Sequence, residues 1–132
     1  MDLNQIKQES KKRMILCQAL TEHFGHSDWY TANATKDNAT ATLEETGETF
    51  LISDLGISSL IEKYNTLYDG RQVRKERDKL LVESDSLVLP DRWSSYSTTK
   101  KSKISTYRQE LRDIPQQDGF PTNVVWPTLA TQ

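Results

Sequence analysis

Between Asp2 and Phe24 apolar residues recur at helical intervals. Leu3, Ile6, Met14, Cys17, Leu20 and Phe24 fall near one face, with no proline or glycine among them. The pattern predicts one amphipathic helix ending at Gly25. Ser10 and Arg13 occupy the heptad-related positions after Leu3 and Ile6, so the stripe suits packing on its own domain or a neighbouring subunit better than a long coiled coil. The period then changes. Thr40-Ala41-Thr42-Leu43 and Thr49-Phe50-Leu51-Ile52 alternate on either side of a Glu-Glu-Thr-Gly-Glu turn, which predicts a β-hairpin. A lone hairpin is marginal in water, so Leu43, Phe50 and Ile52 need a helix or another chain's sheet to lie against, with Trp29 and Tyr30 as anchors just upstream.

Ser53 or Asp54 can cap a second helix whose core face is Leu55, Leu60, Ile61, Tyr64, Leu67 and Tyr68. Gly70 is the favoured stop. The alternative is a helix running through it, at a cost of about 1 kcal/mol against alanine. Gln72 to Glu83 reads as a charged helix with Val73, Leu80 and Leu81 inward, followed by a loop through Leu89-Pro90-Asp91-Arg92-Trp93. A last helix is expected from near Ser97 or Thr98 to Ile114, stopped by Pro115, and pairs with its predecessor as an antiparallel hairpin. Beyond it, Phe120, Pro121, Val124, Val125, Trp126 and Pro127 stand in a segment that cannot be helical and needs a surface to lie on. The fold class is therefore mainly α with a small β-hairpin. Residues 1–70 are expected to form an attachment or oligomerisation region, and residues 71–132 a helical hairpin covered by an extended apolar strap.

The second of these regions carries a specific motif. Arg77, Asp78, Leu80, Leu81, Ser84 and Asp85, then Leu89-Pro90-Asp91, then Tyr107-Arg108-Gln109, Leu111-Arg112-Asp113-Ile114-Pro115, Gly119-Phe120-Pro121 and Trp126-Pro127, resemble the phage tail assembly chaperone family over roughly residues 71–127. In that family the domain occurs alone or appended to tail fibre and other tail proteins. The resemblance implies a bacteriophage tail-associated protein that binds tail or tail-fibre components, as an assembly chaperone or as a small virion part. It implies residence in the host cytoplasm during assembly or in the virion tail.

Composition bounds the alternatives. Mean hydropathy is −0.72 and 35% of the 132 residues are hydrophobic, so packing should be thin or helped by a partner. No apolar run approaches the roughly 20 residues of a membrane span, and the charged N-terminus is unlike a signal peptide. Cys17, the single cysteine, cannot form an intramolecular disulfide, and the Asn-x-Thr sequons at Asn33 and Asn38 read as chance features.

Charge is divided. Residues 1–70 hold six Lys/Arg and eleven Asp/Glu, residues 71–112 eleven and six, and residues 113–132 none and two, giving −5, +5 and −2. Such a split favours self-association, an acidic partner or nucleic acid. Nucleic-acid binding through the basic 71–103 segment is the second functional reading. A solvated helix surface interleaved with Glu76, Asp78 and Glu83 is favoured over it, since no recognised nucleic-acid motif accompanies the charge.

Chemistry is sparse. His23 and His26 straddle Gly25, and with only Glu22 and Asp28 nearby they read as surface histidines rather than metal ligands. No phosphate loop, nucleophile elbow or activated thiol is present, so no enzyme, cofactor or metal is expected. Candidate partner-binding residues are Trp93, Tyr107, Arg108, Leu111, Arg112, Phe120, Pro121 and Trp126. Arg108 and Arg112, one helical turn apart, either grip a partner's phosphate or carboxylate or, the favoured reading, pair with Asp113, Asp118 or Asp85 to hold the strap. Core roles are favoured for Tyr107 and Trp126, whereas loop-borne Trp93 and Phe120 suit core and interface equally.

Overall fold

A computed structural model of the chain describes residues 2–129, which fall in two compact units, Met1–Tyr68 and Asp69–Gln132. In the first unit, helix α1 (Leu3–Phe24) begins at a capping box: the Asp2 carboxylate accepts from the Gln5 N–H, and the Gln5 side chain accepts from the Asp2 N–H. It ends at Gly25, whose left-handed backbone donates to Thr21 O. The buried face is Ile15, Leu16, Ala19 and Leu20, rotated from the predicted stripe, and Leu3, Ile6, Met14 and Cys17 are exposed.

The expected hairpin is present as β2 (Thr40–Leu43) and β3 (Thr49–Leu51), with Ala41 opposite Phe50. A third strand joins it. β1 (Trp29–Ala32) pairs antiparallel with β2, Trp29 facing Leu43, so the sheet order is β1-β2-β3. Here the predicted anchors Trp29 and Tyr30 are strand residues. The extra strand lets β2 pair on both edges, which a two-stranded ribbon cannot do. Leu16, Ala19, Leu20, Ala39, Ala41, Ile52 and Ile57 form one buried cluster, with Phe24, Trp29 and Tyr64 among the half-buried residues around it.

A short 3-10 turn (Ile52–Asp54) leads into α2 (Ser58–Asp85), a 28-residue helix that passes through Gly70 without interruption. The favoured break at Gly70 is thus corrected. Gly70 is buried, and a Cβ there would lie 3.4 Å from the Phe120 ring. The glycine lies within a continuous helix, at a distance from the Phe120 ring that a Cβ would fill as ordinary contact, and does not end a helix.

In the second unit, the loop after α2 contains a 3-10 turn (Ser86–Val88) and one short helix, α3 (Pro90–Trp93), with proline at its first position. Helix α4 (Thr98–Arg112) starts at Ser97, whose hydroxyl accepts from the Lys100 N–H, and gives way to a 3-10 turn at Ile114–Gln116. Ile104, Leu111 and Ile114, at intervals of seven and three, are fully buried. The chain returns antiparallel along α2: Arg108 meets Leu81 to Asp85, and Phe120 meets Gly70 and Arg74.

Candidate interaction surface

Arg108 ties the hairpin together. Its Nη1 donates to Leu81 O at 3.3 Å, to the Ser84 hydroxyl and to Asp85 Oδ1 at 3.0 Å. These acceptors stand at the C-terminal end of the long helix, where a cation is favoured by the helix dipole, and Leu81 O also accepts from the Ser84 hydroxyl at 2.8 Å. The Arg108 side chain is 15% exposed and Ser84 is buried, so the Arg108–Ser84 bond is shielded from water, while the Asp85 carboxylate is 60% exposed. Of the sequence-level partners for the two arginines, Asp85 is realised by Arg108. Arg112 makes none of these pairings and is exposed, while Asp113 accepts instead from Gln109 Nε2 at 3.0 Å.

The strap is held at three points. The Gln117 side-chain amide donates to Val125 O and accepts from Val125 N–H, both at 2.9 Å, closing the segment into a loop. Gly119 O accepts from Asn123 N–H at 2.6 Å, and a Cβ on Gly119 would sit inside the Asn123 carbonyl oxygen, so only glycine fits that turn. The Phe120 ring lies beside Gly70 with the Arg74 guanidinium 5.1 Å from its centroid; the Phe120–Pro121 peptide is cis. Pro121 and Trp126 are half-buried and Val125 is 75% exposed.

Two open grooves flank α4. One, of about 620 Å³, runs between the helix and the strap's end and is lined by Thr99, Lys103, Tyr107, Glu110, Thr128 and Leu129, among others. The other, of about 450 Å³, is lined by Val88, Trp93, Ser105, Arg108, Gln109 and Arg112. The second groove gathers three of the sequence candidates. Beside it, Trp93 packs edge-on against Tyr96 with ring centroids 6.1 Å apart, and the Lys101 ammonium stands 5.9 Å from the indole. Leu111 differs from the other candidates: at 0% exposure it supports the surface from below and presents nothing to a partner.

Sequence reasoning missed Gln117 and Val88, and had Ser84 only as a motif residue with no role. Gln117 acts through hydrogen bonds to backbone groups, which leave no pattern in side-chain type, Ser84 through bonds to Leu81 O and to Arg108, 24 positions away, and Val88 reaches its groove from a loop. The basic segment is partly engaged within the second unit: Arg77 pairs with Asp78 at 2.8 Å, Arg74 covers Phe120, and Lys100 stands 4.3 Å from the Tyr96 centroid. His23 packs edge-on to Phe24 and His26 Nδ1 accepts the Asp28 N–H. Among the described residues no group of three or more His, Cys, Asp or Glu is placed to hold a metal ion, and no helix is long and apolar enough to cross a membrane.

The second unit is a small helical hairpin closed by a non-helical strap, with grooves on both sides of its last helix. Residues 70–129 match the family model described as phage tail assembly chaperone protein, the family that the motif around Tyr107 to Pro127 resembles. The match covers the second unit nearly from end to end and supports a role in phage tail assembly. Comparison with curated proteins and with solved structures finds no match.

Proposed function

We infer that the chain is a bacteriophage tail-associated protein that acts by binding tail or tail-fibre components, through the second unit, in the host cytoplasm or in the virion tail. The observation that carries this reading is the groove of Tyr107, Lys103, Glu110 and Leu129 within the family-matched segment. It is part apolar and part charged, it is formed by α4 and the end of the strap, and it contains no reactive constellation, which suits recognition of a protein surface better than chemistry. The first unit then supplies an attachment particular to this chain.

The test is a pull-down of co-expressed tail proteins with the chain as bait, comparing wild type with Tyr107→Ala and Leu129→Asp. Capture of a tail or fibre protein that both variants lose supports the reading; capture that neither changes removes the groove from it. Mass spectrometry of purified particles separates the two forms of the role, since a virion component is present at fixed stoichiometry and an assembly chaperone is absent. Retention on heparin at low salt, lost steeply as salt rises, would favour the nucleic-acid reading instead.

A further inference from the structure

The groove on the opposite side of α4 has a different chemistry. All of Arg108's hydrogen bonds leave from Nη1, and Arg112, one turn further on, is exposed and makes no hydrogen bond or ion pair among the described residues. Two guanidinium groups thus share a concave site with the Trp93 indole, the Val88 side chain, and the Ser105 and Gln109 polar groups. Such a site takes carboxylates flanked by short aliphatic groups. A phosphate backbone suits it less: the groove is short, and the Trp93 and Tyr96 rings are set edge to face and offer no stacking platform for successive bases.

The chain itself carries the complementary charge. The turn joining β2 to β3 places Glu44, Glu45 and Glu48 at an exposed hairpin tip with no cation among residues 43–50. Its backbone is fixed by Leu43 N–H to Glu48 O and Gly47 N–H to Leu43 O, both 2.9 Å, so three carboxylates are presented on a rigid convex loop. The first unit as a whole holds six Lys/Arg against ten Asp/Glu, −4, and the second eleven against nine, +2.

We propose that the glutamate hairpin tip of one copy docks into the Trp93–Arg108–Arg112 groove of a second copy, giving head-to-tail self-association. Tip and groove are different surfaces, so the contact is heterologous: one copy keeps its groove free and the other its tip, and repetition propagates into a ring or a filament. The inference stands apart from tail-protein binding, which was placed on the other groove, so either can fail without the other.

Sedimentation velocity of the full chain tests it. Wild type is expected to associate as its concentration rises to the order of 100 µM, and to dissociate in about 1 M salt, where the screening length falls to about 3 Å. Arg112→Glu and the triple change Glu44→Lys, Glu45→Lys, Glu48→Lys should each weaken association by about tenfold or more, with unchanged circular dichroism because none of these side chains has a partner to lose. Mixing the two variants should restore association, since one contributes the intact tip and the other the intact groove. A wild type that stays monomeric, association indifferent to both charge reversals, or a mixture that fails to pair would each overturn the proposal.

Discussion

Gly70 is buried in the middle of a 28-residue helix, where glycine is about 1 kcal/mol less favourable than alanine. An alanine Cβ would meet the Phe120 ring at 3.4 Å and the Arg74 guanidinium at 3.5 Å, both ordinary contact distances. Gly70→Ala is therefore expected to raise stability by about 0.5–1 kcal/mol in urea denaturation, whereas Gly70→Leu should lower it by displacing Phe120. Equal destabilisation by both would show that the notch tolerates no side chain at all. The two arginines separate in the same way. Arg108→Ala leaves the buried Ser84 hydroxyl oxygen without its donor and removes the Asp85 ion pair, and should cost about 1–3 kcal/mol, while Arg112→Ala, on an exposed position, should stay within about 0.5 kcal/mol. This asymmetry was not legible in the sequence, where both are arginines one turn apart on the same helix. What distinguishes them is that residue 108 comes opposite the end of α2, and that depends on the length of the loop between the helices. The Lys63 ammonium, bonded to Glu22 at 2.7 Å in the first unit, shows a simpler case: that hydrogen bond raises its pKa. The small contribution of the pair is present below the lysine's ordinary range and is lost as pH rises through the raised value.

At the scale of elements, the strap shows why a segment without secondary structure can still hold a fixed course. Its backbone groups find few partners in a ladder, so a single side chain, Gln117, supplies both a donor and an acceptor to Val125. Gln117→Glu keeps the acceptor for Val125 N–H and loses the donor for Val125 O. Amide exchange measured by mass spectrometry should then quicken over residues 121–129 and stay unchanged over 98–112. Uniform quickening would mean that the strap is part of one cooperative unit with α4. The sequence announced the elements where apolar spacing was dense: α4 with its Ser97 cap, the β2–β3 hairpin around Gly47, and the proline-bounded strap. It misled where a residue's usual role was not the one used. Gly70 looked like a terminator because helix-stopping is glycine's commonest office, and β1 was hidden because Trp29 to Ala32 is short and its pairing is set by β2 and not by its own alternation. For α1, choosing Met14 and Cys17 over Ile15 and Leu16 rotated the face by about one residue, an error that two adjacent apolar pairs make easy.

For the molecule as a whole, burial is concentrated in two separate places. In the first unit Leu20 belongs to the cluster with Leu16, Ala41 and Ile57, and in the second Ile104, Leu111 and Ile114 are each at or below 1% exposure. A domain of some 60 residues is marginal on its own core, so each unit should respond strongly to one lost side chain. Leu20→Ala and Ile104→Ala are each expected to cost about 2–5 kcal/mol, the usual range for emptying a fully buried aliphatic site. Leu20 and Ile104 belong to different units, and the two effects are expected to be additive in the double variant to within about 0.5 kcal/mol. Exchange protection should fall over residues 15–57 in the first variant and over 98–116 in the second. The helix from Ser58 to Asp85 is the one element that both units share, and it supplies the sharpest reading. If helical cooperativity carries through Tyr68 and Asp69, protection of its middle turn should fall in both variants, each end otherwise following its own unit. If the middle turn responds to neither, the two units unfold as separate bodies linked by a helix that melts locally, and a tail component could bind the second unit without disturbing the first.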